Sequence, residues 1–132
     1  MSSPPNNSNL RTPIVPHRVR CIGRESFSFI HHRFLRDGFF AALEPAEQSL
    51  YFFLVLAGDR QGISFYSYDR ICSIIGIDLE TYLEARDGLI RKDLVAFDGR
   101  RFQVLSLPVH PAPRDPEVRA QIIAALARPL DP

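Results

Sequence analysis

The chain has 132 residues, of which 45% are hydrophobic, and a net charge of +1. This composition is typical of a globular domain and argues against wholesale disorder. Its two cysteines, Cys21 and Cys72, lie far apart without a CxxC motif, which argues against a disulfide framework and predicts reduced thiols in a cytoplasmic protein. Residues 1–9 are uncharged and precede no long apolar run, so we expect neither a secretory signal nor a membrane span.

Composition and charge divide the chain into three parts. Residues 1–26, which hold four Arg and one acidic residue, are predicted to be a flexible N-terminal tail and basic arm. Residues 27–107 hold nine basic and eleven acidic side chains and are predicted to form the folded domain. Residues 108–132 are predicted to be a Pro-rich hinge followed by an amphipathic helix from about Glu117 to Ala127. The predicted domain is therefore slightly acidic, which counts against the usual basic DNA-binding surface.

The first half of the domain is predicted to contain two helices. A helix is expected around Phe29 to Arg36, with an interruption near Asp37 and Gly38 and a short continuation through Leu43. The second helix should begin at Pro45, because the missing N–H of proline costs nothing in a first turn. From Leu50 onward this second helix is apolar on all sides, which predicts a buried central helix.

The stretch from Ile63 to Leu107 has the most specific pattern of the chain. A brief strand, Ile63–Tyr66, precedes a short helix that Ser67 should cap and that Gly76 should end. Asp78 can cap another helix that continues to about Lys92. Two strand-like runs follow, residues 94–97 and 102–105, and are joined at Asp98-Gly99, a strong hairpin signal. Helix, turn, helix and hairpin in this order predict a winged helix-turn-helix.

The helix after Asp78 is predicted to bury one face. Apolar residues recur at three- and four-residue steps and should face the core: Leu79, Tyr82, Leu83, Leu89 and Ile90. The outward face would then consist of Glu80, Thr81, Glu84, Asp87 and Arg91. Arg86 falls on the apolar stripe, so we expect its stem to be buried and its head to pair with a carboxylate, with Asp69 as a candidate.

The domain resembles the winged-helix domains of bacterial replication initiators and primosome proteins. The resemblance covers residues 27–107 and is carried by Leu43–Glu47 leading into Leu50–Leu54, by Tyr66–Ile71 with Ile74–Ile77, and by Leu89–Val95. It implies an α+β, mainly helical fold of three to four helices with a small antiparallel sheet and a wing hairpin. It also implies a fourth helix in the major groove, a wing on the backbone or minor groove, and a mobile-element origin.

The acidic outward face of the fourth helix departs from that pattern, because three carboxylates would be repelled by phosphates. We therefore expect DNA binding led by the wing, with little base reading. The candidate DNA-contacting residues are Arg100 and Arg101 in the wing, Arg33 and Arg36 on the first helix, Thr81, Arg91 and Lys92 on the fourth, and Arg18 and Arg20 on the arm. Two alternatives stay open: the arm and wing tip are merely solvated, or the domain is a protein-interaction or dimerisation module that uses the fourth or C-terminal helix.

An enzyme is the least expected class. The sequence contains no Gly-rich phosphate loop, no GxSxG, no HExxH and no Cys/His metal array. The adjacent His31 and His32 have no further ligand at suitable spacing, so they are expected to be polar surface residues. No cofactor or metal is predicted, and the expected partner is double-stranded DNA.

Overall fold

The computed structural model describes residues 10–112 of the chain. After a 3-10 turn at Pro16–Arg18 in the arm, the elements are α1 (Arg33–Arg36), α2 (Pro45–Ala57), β1 (Ile63–Ser64), α3 (Tyr68–Ile75), α4 (Leu79–Arg91), β2 (Val95–Phe97) and β3 (Phe102–Val104). Within these described residues, four helices and a three-stranded antiparallel sheet confirm the predicted α+β class. The tail over residues 1–9 and the predicted C-terminal helix lie outside the described residues. Within residues 10–112, no helix combines the length and apolar character needed to cross a membrane.

Helix α1 is shorter than the sequence predicts. It begins at Arg33 and ends at Arg36, and the predicted continuation through Leu43 is a series of turns. Phe27 and Phe29, before the helix, are exposed, so no packing stabilises a helix there. Gly38 adopts a φ of +87°, a left-handed conformation that breaks the helix. The buried Phe34 of α1 stacks on Tyr51 of α2, with ring centroids 4.8 Å apart.

Helix α2 has the predicted bounds and is the central helix of the domain, in contact with α3, α4 and the sheet. Pro45 occupies its first turn, and the Glu47 carboxylate accepts a hydrogen bond of 2.8 Å from the backbone N–H of Glu44. The prediction that it is buried on all sides is wrong. Phe52 and Leu56 are more than half exposed, because the other elements pack on only part of its circumference.

The sheet has the order β1-β3-β2, with β3 in the middle. Ile63 pairs with Gln103, and Val95 pairs with Val104. The predicted strand at residues 63–66 shortens to two residues, and each hairpin strand is one residue shorter than predicted. Gly62, just before β1, has a φ of +80°, and its carbonyl accepts a hydrogen bond from the Val104 N–H. The backbones of the two residues lie so close together that a side chain at position 62 would have little room.

The predicted boundaries of α3 and α4 are confirmed. Gly76 ends α3 with a left-handed φ of +74°, and the Asp78 carboxylate caps α4 by accepting a 2.8 Å hydrogen bond from the Thr81 N–H. Ser67 occupies the N-cap position of α3, although its side chain makes no capping hydrogen bond.

The predicted buried face of α4 is only partly right. Tyr82 and Leu89 are buried, whereas Leu79 is 49% exposed, Leu83 37% and Ile90 39%. The buried face is completed by the small residues Ala85 and Gly88, which were not part of the apolar pattern. At Gly88 the helix approaches α2 so closely that a Cβ would overlap the Glu47 carboxylate. This close contact sets the rotation of α4 about its axis, and the three leucine and isoleucine side chains remain outside.

Candidate nucleic-acid interface

The turn between β2 and β3 is organised by one carboxylate. Oδ1 of Asp98 accepts hydrogen bonds from the backbone N–H groups of Arg100 (2.9 Å) and Arg101 (2.6 Å), and Oδ2 accepts from Nε of Arg101 (2.9 Å). These bonds, led by the Arg101 N–H, lower the pKa of Asp98 to about 2. Gly99 adopts a φ of +94°, which only glycine takes without strain. The turn therefore has a fixed shape in which a charged carboxylate holds two backbone amides.

The two arginines of this turn have different surroundings. The Arg101 guanidinium pairs with Asp98, with both side chains about half exposed. The Arg100 side chain has no hydrogen bond or ion pair within residues 10–112 and is exposed. Sequence analysis identified the Asp-Gly turn but not the part that Asp98 plays in it, although an aspartate that bonds amides two and three residues ahead is a recurrent turn motif.

The hairpin is held along α4 by Arg86. Its guanidinium lies over the ring of Phe97 (5.2 Å to the centroid) and pairs with the carboxylate of the adjacent Asp87 at 3.1 Å. The expected partner Asp69 is therefore wrong, although the predicted structural role holds. The chain leaves Leu94 beside Leu89, and Phe97 at the end of β2 lies beside Arg86, so the hairpin turn lies toward the N-terminal half of α4.

At the other end of β2, the two basic residues that end α4 differ in accessibility. Lys92 is only 5% exposed, and its Nζ donates to the Glu47 carboxylate at 2.5 Å and to the Ala42 carbonyl at 3.0 Å. Because the ammonium is enclosed by protein, its position does not favour the predicted DNA contact. Arg91 is exposed and has no ion pair within the described part of the chain. It lies at the base of the hairpin and not beside Arg100.

The candidates on α1 also separate into a structural residue and an exposed one. The Arg33 guanidinium donates to the carbonyls of Pro108 (2.6 Å) and Val109 (3.1 Å), pairs with Asp37 and lies over the Phe39 ring. It therefore fixes the segment after β3 to α1. Arg36 is exposed and makes no side-chain contact with another charged group among residues 10–112.

The arm arginines Arg18 and Arg20 are exposed, and the whole segment from residue 10 to residue 30 is exposed with them. The arm joins the domain at residues 25–31, which line an open groove of about 1090 Å³. The body contributes to this groove Tyr51, Val55 and Leu56 of α2, the loop of residues 58–62 and residues 104–107 after β3.

The outward face of α4 combines the predicted acidic residues with apolar ones. Glu80, Glu84 and Asp87 are exposed as predicted, and Leu79, Leu83 and Ile90 lie among them. Thr81 takes part in the N-terminal cap of α4. Its hydroxyl and its backbone N–H both hydrogen-bond to Asp78 and lower the pKa of that carboxyl. The first two turns of α4 thus present two carboxylates and two leucines without a basic side chain, which is a poor surface for a major groove.

Other reactive groups form no site among residues 10–112. No three His, Cys, Asp or Glu side chains converge where they could hold a metal ion. His31 is exposed, with its ring 5.2 Å from that of Phe29. Cys72 is half-buried with its Sγ 3.8 Å from the Asp78 carbonyl oxygen, and burial raises the pKa of its thiol, which keeps it protonated and unreactive.

Comparisons with known proteins give no independent assignment. No protein-family model matches the sequence, and the comparisons with curated proteins and with solved structures gave no match either. What this chain does is therefore inferred from its own residues.

Proposed function

We propose that the chain is a winged-helix protein that binds double-stranded DNA mainly through the phosphate backbone and minor groove, with the β2–β3 hairpin as the leading wing. The biological setting that the family resemblance favours is replication, transposition or transcription control of a bacterial mobile element. The order α2, β1, α3, α4, β2, β3, with β1 beside β3, supports this fold assignment.

The observation that carries the DNA-binding proposal is the geometry of the hairpin turn. Arg100 stands on a turn that Asp98 and Gly99 fix, and its guanidinium has no competing partner within residues 10–112. The backbone of this narrow, preorganised ribbon needs no further ordering when Arg100 inserts between two phosphate strands. Arg36, Arg91 and the arm residues Arg18 and Arg20 supply further exposed positive charge for phosphate contacts.

The proposal includes low sequence specificity. A reading helix usually presents Arg, Lys, Asn or Gln to base edges, whereas α4 presents Glu80, Glu84 and Leu83. Wing and arm contacts to phosphates position a protein on DNA but carry little sequence information. Affinity should therefore depend strongly on salt and only weakly on the base sequence.

The test is fluorescence anisotropy with a random duplex of about 25 base pairs, titrated at low and at moderate salt. Binding that weakens steeply as salt rises, with similar affinity for unrelated sequences, supports the proposal. Absence of binding at low salt contradicts it.

A second candidate function, a protein-interaction module with little DNA affinity, is favoured by one observation. The exposed Leu79, Leu83 and Ile90 of α4 form apolar surface that DNA does not use.

A further inference from the structure

Two of the surfaces exposed by residues 10–112 carry apolar side chains and have opposite charge. The first is the arm, residues 10–24. Its apolar residues Ile14, Val19 and Ile22 are all more than half exposed, and Val19 lies between Arg18 and Arg20, with Ile22 two residues further on. A solvated tail needs no such apolar side chains, and their exposure is unfavourable in water.

The second surface is the outward face of α4. Leu79, Leu83 and Ile90 recur at spacings that bring them to one side of the helix, and Glu80, Glu84 and Asp87 form an acidic row beside them. Where the arm is extended, side chains two residues apart lie on the same side, so Arg20 and Ile22 face one way. Ile22 would cover the leucines while the guanidinium group of Arg20 pairs with the carboxylates, and Arg18, at the end of the 3-10 turn, supplies a second guanidinium group.

We propose that the arm of one copy of this chain binds the α4 face of a second copy. Charge complementarity selects the arm, which is the most basic exposed segment of the chain, for the acidic face. Within one molecule, residues 25–31, which follow the arm, line the groove with Tyr51 and Val55 of α2, whereas α4 packs on a different face of α2, at Glu47. A second molecule brings the two surfaces together without rearranging the domain.

Reciprocal exchange of arms between two copies gives a symmetric dimer with two equal contacts. Each contact is small and polar at its edge, so the dimer should be weak and should dissociate as salt rises. The proposal does not depend on DNA binding, since it leaves the hairpin turn with Arg100 free. DNA phosphates and the α4 carboxylates would, however, compete for Arg18 and Arg20.

The test uses two charge-reversed forms of the full chain, each freed of nucleic acid by nuclease treatment. One carries Arg18→Glu with Arg20→Glu, and the other carries Glu80→Arg with Glu84→Arg. In each form alone, the substituted side chains meet side chains of like charge on the other surface, so the dimer dissociation constant should rise by about tenfold or more. In an equal mixture both contacts become attractive again, and a dimer should reappear. Sedimentation velocity over a range of protein concentrations measures all three samples and the wild-type chain.

The matched control is the full chain with Arg36→Glu and Arg60→Glu, which changes net charge by the same amount as the arm variant at two other exposed arginines. It should dimerise like the wild-type chain, and circular dichroism melting should show all variants folded. A wild-type chain that stays monomeric overturns the proposal. So does a mixture that stays monomeric, the result expected if the arm binds α4 of its own chain. Equal disruption by the control variant overturns it as well, because net charge alone would then govern association.

Discussion

Glu47 and Lys92 form an ion pair in the interior, with 2.5 Å between Oε1 and Nζ and with both side chains only 6% exposed. The pair joins the first turn of α2 to the end of α4. Its remaining hydrogen-bonding capacity is largely used, since Glu47 accepts from the Glu44 N–H and Lys92 donates to the Ala42 carbonyl. A pair that is satisfied in this way is tolerated in the interior, whereas either charge alone is not.

Removal of one partner should therefore destabilise the protein strongly. We expect Lys92→Met to lower the free energy of unfolding by about 3–5 kcal/mol, because the Glu47 charge would stay buried without a counter-ion. The double change Lys92→Met with Glu47→Gln should cost less, since no charge is then buried. Urea unfolding followed by circular dichroism measures both. A Lys92→Met protein as stable as wild type would show that the side chain is in fact solvated.

Gly88 should be sensitive to the smallest side chain. A Cβ at this position would overlap the Glu47 carboxylate, so Gly88→Ala should destabilise the domain by about 1–3 kcal/mol, although alanine favours helices. Ser73→Ala, at an exposed position of α3, is the control and should lie within about 0.5 kcal/mol of wild type. Thermal melting of both variants measures the change in stability. A stabilised Gly88→Ala would contradict the close contact between α2 and α4.

The two faces of α2 should respond differently to the same substitution. Leu54 is fully buried, and Leu54→Asp should unfold the domain because a charge would be buried without a partner. Phe52, two residues before Leu54 in the same helix, is mostly exposed, so the Phe52→Asp protein should still unfold in one cooperative melting transition. A folded Leu54→Asp protein would contradict the central position of α2.

The DNA-binding mode should be visible in paired variants. We expect Arg100→Ala to weaken duplex binding and to lower the slope of log K against log salt by about 1, because one phosphate contact is lost. Replacement of Arg100 and Arg101 together with Ala should weaken binding more than replacement of Thr81 and Glu84. Anisotropy titrations at several salt concentrations make the comparison. The reverse order would indicate that α4 leads binding.

The hairpin turn should be stable until strongly acidic pH. The pKa of Asp98 is lowered to about 2 in the folded protein, from an ordinary value of 3.8. A carboxylate with a lowered pKa contributes stability that is complete above its unfolded value and is lost as the pH falls from about 4 to about 2. Carboxyl NMR titration should give a midpoint near 2 for Asp98. A midpoint near 4 would mean that the amides of Arg100 and Arg101 are not bound to it.

Local signals in the sequence determined several elements correctly. Gly76 and Asp78 place the end of α3 and the start of α4, and Asp98-Gly99 places the hairpin, because left-handed glycines and capping carboxylates act over three or four residues. Pro45 places the start of α2 for the same reason. The acidic character of α4 was likewise visible in the sequence.

Only the tertiary structure decided which faces of the helices are buried. The spacing of apolar residues along α4 did not determine how the helix is rotated about its axis. The contact of Gly88 with Glu47 turns Leu79, Leu83 and Ile90 outward. The ion pair with Glu47 encloses Lys92, and the carbonyls of Pro108 and Val109 hold Arg33, so these two candidates for DNA contact have structural roles. Sequence spacing identifies which residues share a helix face. The burial of that face is determined by which chain segments, distant in sequence, pack against it.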